Sequence, residues 1–323
     1  MRAHHFPRVV AAIGVVLIVT AGLALPATAF ARAGDIVYTY GNWGTLAVMT
    51  GSGTPVRDLV ASGGDESVVN GGPVWGPPGQ SRVAFWQSSG TPGGRGSGIL
   101  IATNETSPTL RNIGEPVPWR SGLWDMRPEP SGPIAWSPSG RYLVYGASGW
   151  DHPSSSAHYS YLVAVDLHHD PATTFTVSRT SRAGWTYSSL DFTPDGRSLL
   201  ICEAGDDGHG HTAGLLKKIS FSARSALLKL YPDQAGYSDL SYDGLTIAYT
   251  AVGGGPIRTC SAATGLQRRT VRSDATGIEP RFSRDKKWIA YYVAGTTGSI
   301  MRVPFGGASA PVLLMDNAGD PDW

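Results

Sequence analysis

The chain has little charge, little cysteine and only one long apolar run. Asp, Glu, Lys and Arg make up 16% of its 323 residues, the formal net charge is +1, and no basic stretch stands out. A nucleic-acid partner is therefore excluded, because such proteins carry a concentrated positive patch. Cys202 and Cys260 are the whole cysteine complement. In an oxidising compartment they leave two readings open, a single disulfide or two buried thiols. No Gly-x-Ser-x-Gly elbow occurs in the sequence, which excludes an α/β-hydrolase nucleophile.

The apolar run lies at the start. Arg2 and Arg8 precede Val9 to Leu25, and Pro26 then leads into Ala27-Thr28-Ala29-Phe30-Ala31. A basic segment, an apolar segment and small residues at a cleavage site predict a signal peptide over residues 1–31. A retained anchor is the competing reading. No Arg pair marks a twin-arginine signal and no Cys follows the run to accept a lipid. The expectation is an exported chain, secreted or in the cell envelope, with no membrane span after cleavage and a mature domain over 32–323.

Turn formers are abundant, with 42 Gly and 23 Pro, and 41% of residues are hydrophobic. That combination suits many short strands joined by tight turns rather than disorder. Five segments copy one another. Pro73 to Gly79 leads into Val83-Ala84-Phe85, and Ile134 to Gly140 into Leu143-Val144-Tyr145. Leu190 to Gly196 leads into Leu199-Leu200-Ile201, Asp239 to Gly244 into Ile247-Ala248-Tyr249, and Glu279 to Ser283 into Ile289-Ala290-Tyr291. Asp320 to Trp323 begins a sixth copy. The anchors Trp75, Trp136, Phe192, Leu240, Phe282 and Trp323 draw closer along the chain, from roughly 60 to roughly 40 residues apart, the length of a four-stranded propeller blade. Near the N-terminus, Ile36 to Tyr40, Thr45 to Met49 and Pro55 to Leu59 match strands two, three and four of a blade with strand one missing. The predicted fold is therefore all-β, a six-bladed β-propeller of four-stranded blades. Pairing of the C-terminal strand with the N-terminal blade would close the ring and remove two exposed sheet edges.

Trp136-Ser137-Pro138-Ser139-Gly140-Arg141 and Phe192-Thr193-Pro194-Asp195-Gly196-Arg197 are similar to the "WSPDG" repeat of TolB-like six-bladed propellers. The resemblance covers nearly the whole mature chain and implies the fold, not an activity. Two copies depart from the pattern. Phe282-Ser283-Arg284-Asp285-Lys286 lacks the Gly, and Tyr242 stands where Pro is usual.

Strand order sorts the loops onto two faces. The face bearing connections one-to-two and three-to-four is plain. The other carries the insertions, over 86–98, 111–133, 148–158, 178–188 and 203–214. These hold Trp119, Trp124, Trp150 and Trp185, with Asp125, His152 and Tyr187 nearby. Long loops on a rigid scaffold are where binding residues concentrate, and exposed aromatic rings suit sugars or a protein partner. At the channel mouth on this face, Tyr237, Glu279 and Asp320 are expected alongside Asn70 and Ser188. Asp206-Asp207-Gly208-His209-Gly210-His211 places oxygen and nitrogen ligands close together, as Gly-rich polar loops often do by chance, and no metal or cofactor is expected. The function expected is a non-enzymatic, monomeric binding propeller that takes a protein partner, a carbohydrate or another small ligand on its long-loop face. The alternative is a propeller lyase or hydrolase acting on a glycan or small ligand at the channel mouth.

Overall fold

The computed structural model describes residues 35–323 apart from 42–43, 61–67, 90–97, 104–109, 115–128, 151–157, 170–171, 207–211, 223–225, 234, 296 and 308. All regular structure among the described residues is β. The first three strands are β1 (Ile36–Tyr40), β2 (Thr45–Met49) and β3 (Pro55–Val60). Next come β4 (Val68–Trp75), β5 (Arg82–Ser89), β6 (Gly98–Thr103) and β7 (Leu110–Gly114). They are followed by β8 (Glu129–Trp136), β9 (Tyr142–Trp150), β10 (His158–Asp166) and β11 (Thr173–Arg179). Then come β12 (Thr186–Phe192), β13 (Ser198–Asp206), β14 (Thr212–Ser220) and β15 (Ala226–Asp233). The remainder are β16 (Ala235–Leu240), β17 (Thr246–Ala251), β18 (Gly255–Ser261), the long β19 (Arg269–Phe282), β20 (Trp288–Val293), β21 (Ser299–Pro304), β22 (Val312–Asp316) and β23 (Ala318–Asp322).

Four separate sheets have four strands each, and the fifth has seven. In the seven-stranded sheet β19 pairs with β18 through Arg269 to Arg272 and with β20 through Ile278 to Phe282. We read this sheet as two blades in which one unbroken strand serves as the outer strand of the first and the inner strand of the second. The inner strands β4, β8, β12, β16, the end of β19 and β23 touch in succession, and β23 touches β4, so the ring is closed. Closure runs through the chain ends as the sequence predicts. β23 pairs antiparallel with β1, Val37 opposite Asp322 and Tyr40 opposite Ala318.

Apolar residues alternate along the strands, and the core is divided into six clusters, five between sheets and one between the two halves of the seven-stranded sheet. One cluster packs Val37, Leu46 and Val48 against Trp75, Val83 and Phe85, joining the N-terminal blade to the next. Cys202 and Cys260 share another cluster and are both buried free thiols, which settles the choice left open by the sequence.

The repeat's turn chemistry explains its spelling. Ser241 Oγ donates to Asp243 Oδ1 at 2.6 Å and accepts from Thr246 N–H at 2.9 Å, while Gly244 closes the turn on Ser241 O at φ 71°. In the copy that lost its Gly, Lys286 adopts φ 58° and makes the same bond to Ser283 O. Its Nζ then reaches Asp243 in the preceding turn at 3.0 Å.

Candidate functional site

Every inner strand is bulged before its anchor residue. The register slips between Gly71 and Val74, Pro130 and Ile134, Tyr187 and Ser189, Ala235 and Tyr237, and Ile278 and Arg281, and also where β23 meets β1. A bulge bends the strand and re-aims a side chain. At the equivalent position in three blades the backbone is left-handed: Gly72 at φ 54°, Glu279 at φ 53° and Asp320 at φ 47°. Gly adopts this conformation freely, and a carboxylic residue is held in it at a cost of order 1 kcal/mol.

Glu279 and Asp320 thus meet at one mouth of the channel, in a cavity of about 320 Å³. Its wall includes Trp86, Tyr187 and Tyr237. Trp86 fits there because Gly71 and Gly72 lie under its ring; a Cβ on Gly71 would stand 2.3 Å from Trp86 Cζ2. Asp320 Oδ2 accepts from Thr39 Oγ1 at 3.2 Å and from Gly72 N–H at 3.3 Å, which ties the last strand to the first two blades. Burial pushes the Glu279 carboxyl up to about 8, and the adjacent Asp320 charge and hydrogen bond add to the rise. The Tyr237 hydroxyl is also raised, by burial first and then by Glu279. Ser188 Oγ donates to Gly236 O across the next blade junction.

Deeper in the channel, the residue preceding each anchor faces inward. In chain order these are Val74, Ala135, Asp191, Asp239, Arg281 and Asp322, and all of them line a second cavity at the opposite mouth. Asp239 Oδ2 accepts from Phe282 N–H at 2.6 Å and Asp322 Oδ2 from Trp75 N–H at 2.8 Å, so each carboxylate stitches its blade to the next. Asp191 accepts in the same way from the backbone of Leu240. Arg281 stands between them, its Nη1 3.6 Å from Asp239 and its Nε 3.6 Å from Asp322. Burial opposes its charge, but Asp239, Asp322 and Asp191 together hold it protonated. Burial lifts the Asp191 carboxyl to about 7 against the pull of Arg281, and raises Asp239 and Asp322 as well. Arg281 lines both cavities and separates the two mouths.

The structure brings together Tyr187, Tyr237, Glu279 and Asp320 of the residues expected from the sequence. Trp185 does not present its ring to a ligand. It is 2% exposed beneath its own loop, its indole N–H donates to Asp206 O at 2.8 Å, and Arg182 lies over the ring. Tyr187, although it borders the mouth, is 4% exposed and bonds Ser178 Oγ at 3.3 Å. Trp150 ends β9 opposite His158, with its side chain outside what is described. Trp119, Trp124, Asp125, His152 and the pair His209 and His211 lie outside the described residues. Among the described residues no three His, Cys, Asp or Glu side chains are grouped to hold a metal ion. Sequence reasoning missed Trp86 and the inner ring of Asp191, Asp239, Arg281 and Asp322. The ring was there to be found, because all four stand one place before an anchor.

This constellation is a β-propeller with a closed ring and an acidic, two-mouthed channel. No family model matches the chain, and no curated protein does. Among solved structures it is similar to TolB from Acinetobacter baumannii, with TM-score 0.65 and 18% identity over 90% of this chain; the chain spans 66% of that protein's length. It is similar also to a chain of a nidogen/laminin complex, with TM-score 0.59 and 10% identity over 84% of this chain and 89% of the other. A puromycin-hydrolyzing peptidase from Mycobacterium tuberculosis matches with TM-score 0.54 and 14% identity over 88% of this chain and 43% of its own. At these identities the likeness is one of fold, and the fold is that of the TolB-like propellers.

Proposed function

We propose that the chain is an exported, monomeric, non-enzymatic propeller that binds a protein partner or a small ligand such as a carbohydrate through the mouth formed by Glu279, Asp320, Tyr237 and Trp86. One observation carries this reading: two neighbouring carboxylic residues are held left-handed at a position where another blade uses Gly72, and burial raises the Glu279 carboxyl. Strain of this kind gathers at functional sites. A cavity of about 320 Å³ lies at the small end of ligand pockets, so one sugar ring or one peptide side chain fills it. The long loops of the same face supply a wider contact surface, and Trp119, Trp124, Asp125, Trp150 and His152 on them are proposed contact residues. The extracytoplasmic location rests on the predicted signal peptide and on the likeness to TolB.

A second reading rests on the same pair. A carboxyl whose protonated form is favoured by burial, next to a second carboxyl, is the arrangement of a general acid and base, which a propeller lyase or hydrolase would use. Thermal-shift screening of the mature chain against defined oligosaccharides and peptides, with chromatography of each hit after incubation, separates the two. The binding reading expects an intact ligand whose shift is lost in Glu279→Gln. Release of product abolished by the same substitution would replace it with the enzymatic one. Hits indifferent to both Glu279→Gln and Trp86→Ala would overturn the site.

A further inference from the structure

The mouth opposite the long loops, on the face the sequence marks as plain, is a cavity of about 260 Å³. Its walls are apolar, built from Pro77, Pro138, Pro194, Trp136 and Tyr242. Its floor is charged, built from Asp191, Asp239, Asp322 and Arg281. Hydrogen-bond accounting on that floor does not close. Asp239 accepts from the Phe282 N–H, Asp322 accepts from the backbone of Trp75 and of Trp323, and the Oδ1 of each stands 3.6 Å from Arg281, longer than a hydrogen bond. Asp191 gives one oxygen to the Leu240 backbone, and its Oδ2 is shielded from solvent with no partner among the described residues. Stranding a buried acceptor costs about 1–3 kcal/mol. The propeller does not demand it, since Val74 and Ala135 fill the same strand position in other blades. Three carboxyl groups face two arginines, Arg281 and, at the cavity's edge, Arg284.

The missing group is therefore a cation that enters past apolar walls and donates to single, separate oxygens. A guanidinium would seek both oxygens of one carboxylate, and here each carboxylate already has one oxygen engaged. A compact ammonium with three independent donors suits the floor, and an alkyl stem suits the walls. We propose that this second mouth is a binding site for a primary ammonium group on an apolar stem, with Asp191 Oδ2 as its principal acceptor. An alkylamine, a lysine side chain and a peptide N-terminus all present that chemistry.

The test is a calorimetric titration of residues 32–323 at about pH 7.5, above the value of about 7 to which burial lifts Asp191 and below the ordinary α-amino value of about 7.7–8. The probes are n-butylamine, Nα-acetyl-lysine methylamide and leucinamide, with n-butanol, tetramethylammonium chloride and sodium chloride as controls. Saturable binding is expected for at least one amine and for none of the controls, and which amine binds identifies the source. Asp191→Asn should weaken it about tenfold or more, the usual worth of a charge-assisted hydrogen bond. Tyr242→Ala changes an exposed rim residue, keeps the fold and should weaken binding severalfold, which guards against a misfolded Asp191 variant. Glu279→Gln, at the other mouth, should leave it unchanged. The proposal is overturned if no amine binds, if n-butanol or tetramethylammonium binds equally, or if both Asp191→Asn and Tyr242→Ala retain full affinity. Binding lost in Glu279→Gln but kept in Asp191→Asn would move the amine to the long-loop mouth.

Discussion

Glu279 sets the pH response of the molecule. Its carboxyl is pushed up to about 8, by burial first and by Asp320 second, so the folded chain holds this proton more tightly than the unfolded chain does. Between the ordinary Glu value, about 4.3, and 8, folding takes up a proton, and stability must fall as pH rises through that window. Asp191, lifted to about 7 by burial, acts in the same sense over a narrower range. The opposite behaviour belongs to Asp166, drawn down to about 2 by its hydrogen bonds with Arg141; its contribution is complete above about pH 4 and is lost only below. The melting temperature should therefore rise by a few degrees between about pH 8.5 and 5.5, at about 2–4 °C per kcal/mol for a domain approaching this size. Glu279→Gln removes the titration, so it should melt higher than the parent at the upper pH and follow a flatter profile. A parent curve that is level over this range, or a Glu279→Gln curve with the parent's slope, contradicts the burial argument. Glu279 and Asp320 could be named from sequence because their place before the anchor puts them at the channel mouth. Their left-handed backbone could not, because nothing in Ile278-Glu279-Pro280 or Gly319-Asp320-Pro321 spells a bulge.

At the scale of elements, most of the strands were legible, because a tight turn after the anchor, spelled Ser/Thr-x-x-Gly after Trp136, Phe192 and Leu240, fixes where one ends and the next begins. Lys286 shows why one altered letter did not matter, since the turn is held by Ser283 and Asp285, and Lys can occupy the left-handed position. Loops were harder to read. Trp185 looked like an exposed binding ring, but Glu203, 2% exposed, accepts from both Ser181 Oγ and Ser181 N–H and pairs with Lys217 at 2.8 Å. Those long-range bonds draw the 180–185 loop down onto its blade and bury the ring. β23 is the element with the most to lose. It supplies Asp320 and Asp322, which bind Gly72 and Trp75 in the next blade, and Trp323, which packs with Ile36 and Ala290. Deleting residues 320–323 should lower the melting temperature by about 10 °C or more, since burial of one large aromatic alone is worth about 3–5 kcal/mol. An unchanged melting curve would show that the ring does not depend on its last strand.

The whole molecule is a ring pierced by a channel whose two mouths differ in kind. One is lined by Trp86, Tyr237 and the neighbouring carboxylic residues Glu279 and Asp320; the other is a proline and aromatic funnel over an acidic floor. The central claim is that ligand binding belongs to the first mouth. Hydrogen–deuterium exchange on the mature chain, with and without the strongest hit of the oligosaccharide and peptide screen, tests it directly. Protection is expected at the starts of the inner strands, around residues 70–73, 235–237, 278–280 and 318–320, and in β5 near Trp86, and it should vanish in Glu279→Gln. Protection confined to the outer strands, or spread over the ring without regard to Glu279, would contradict the account.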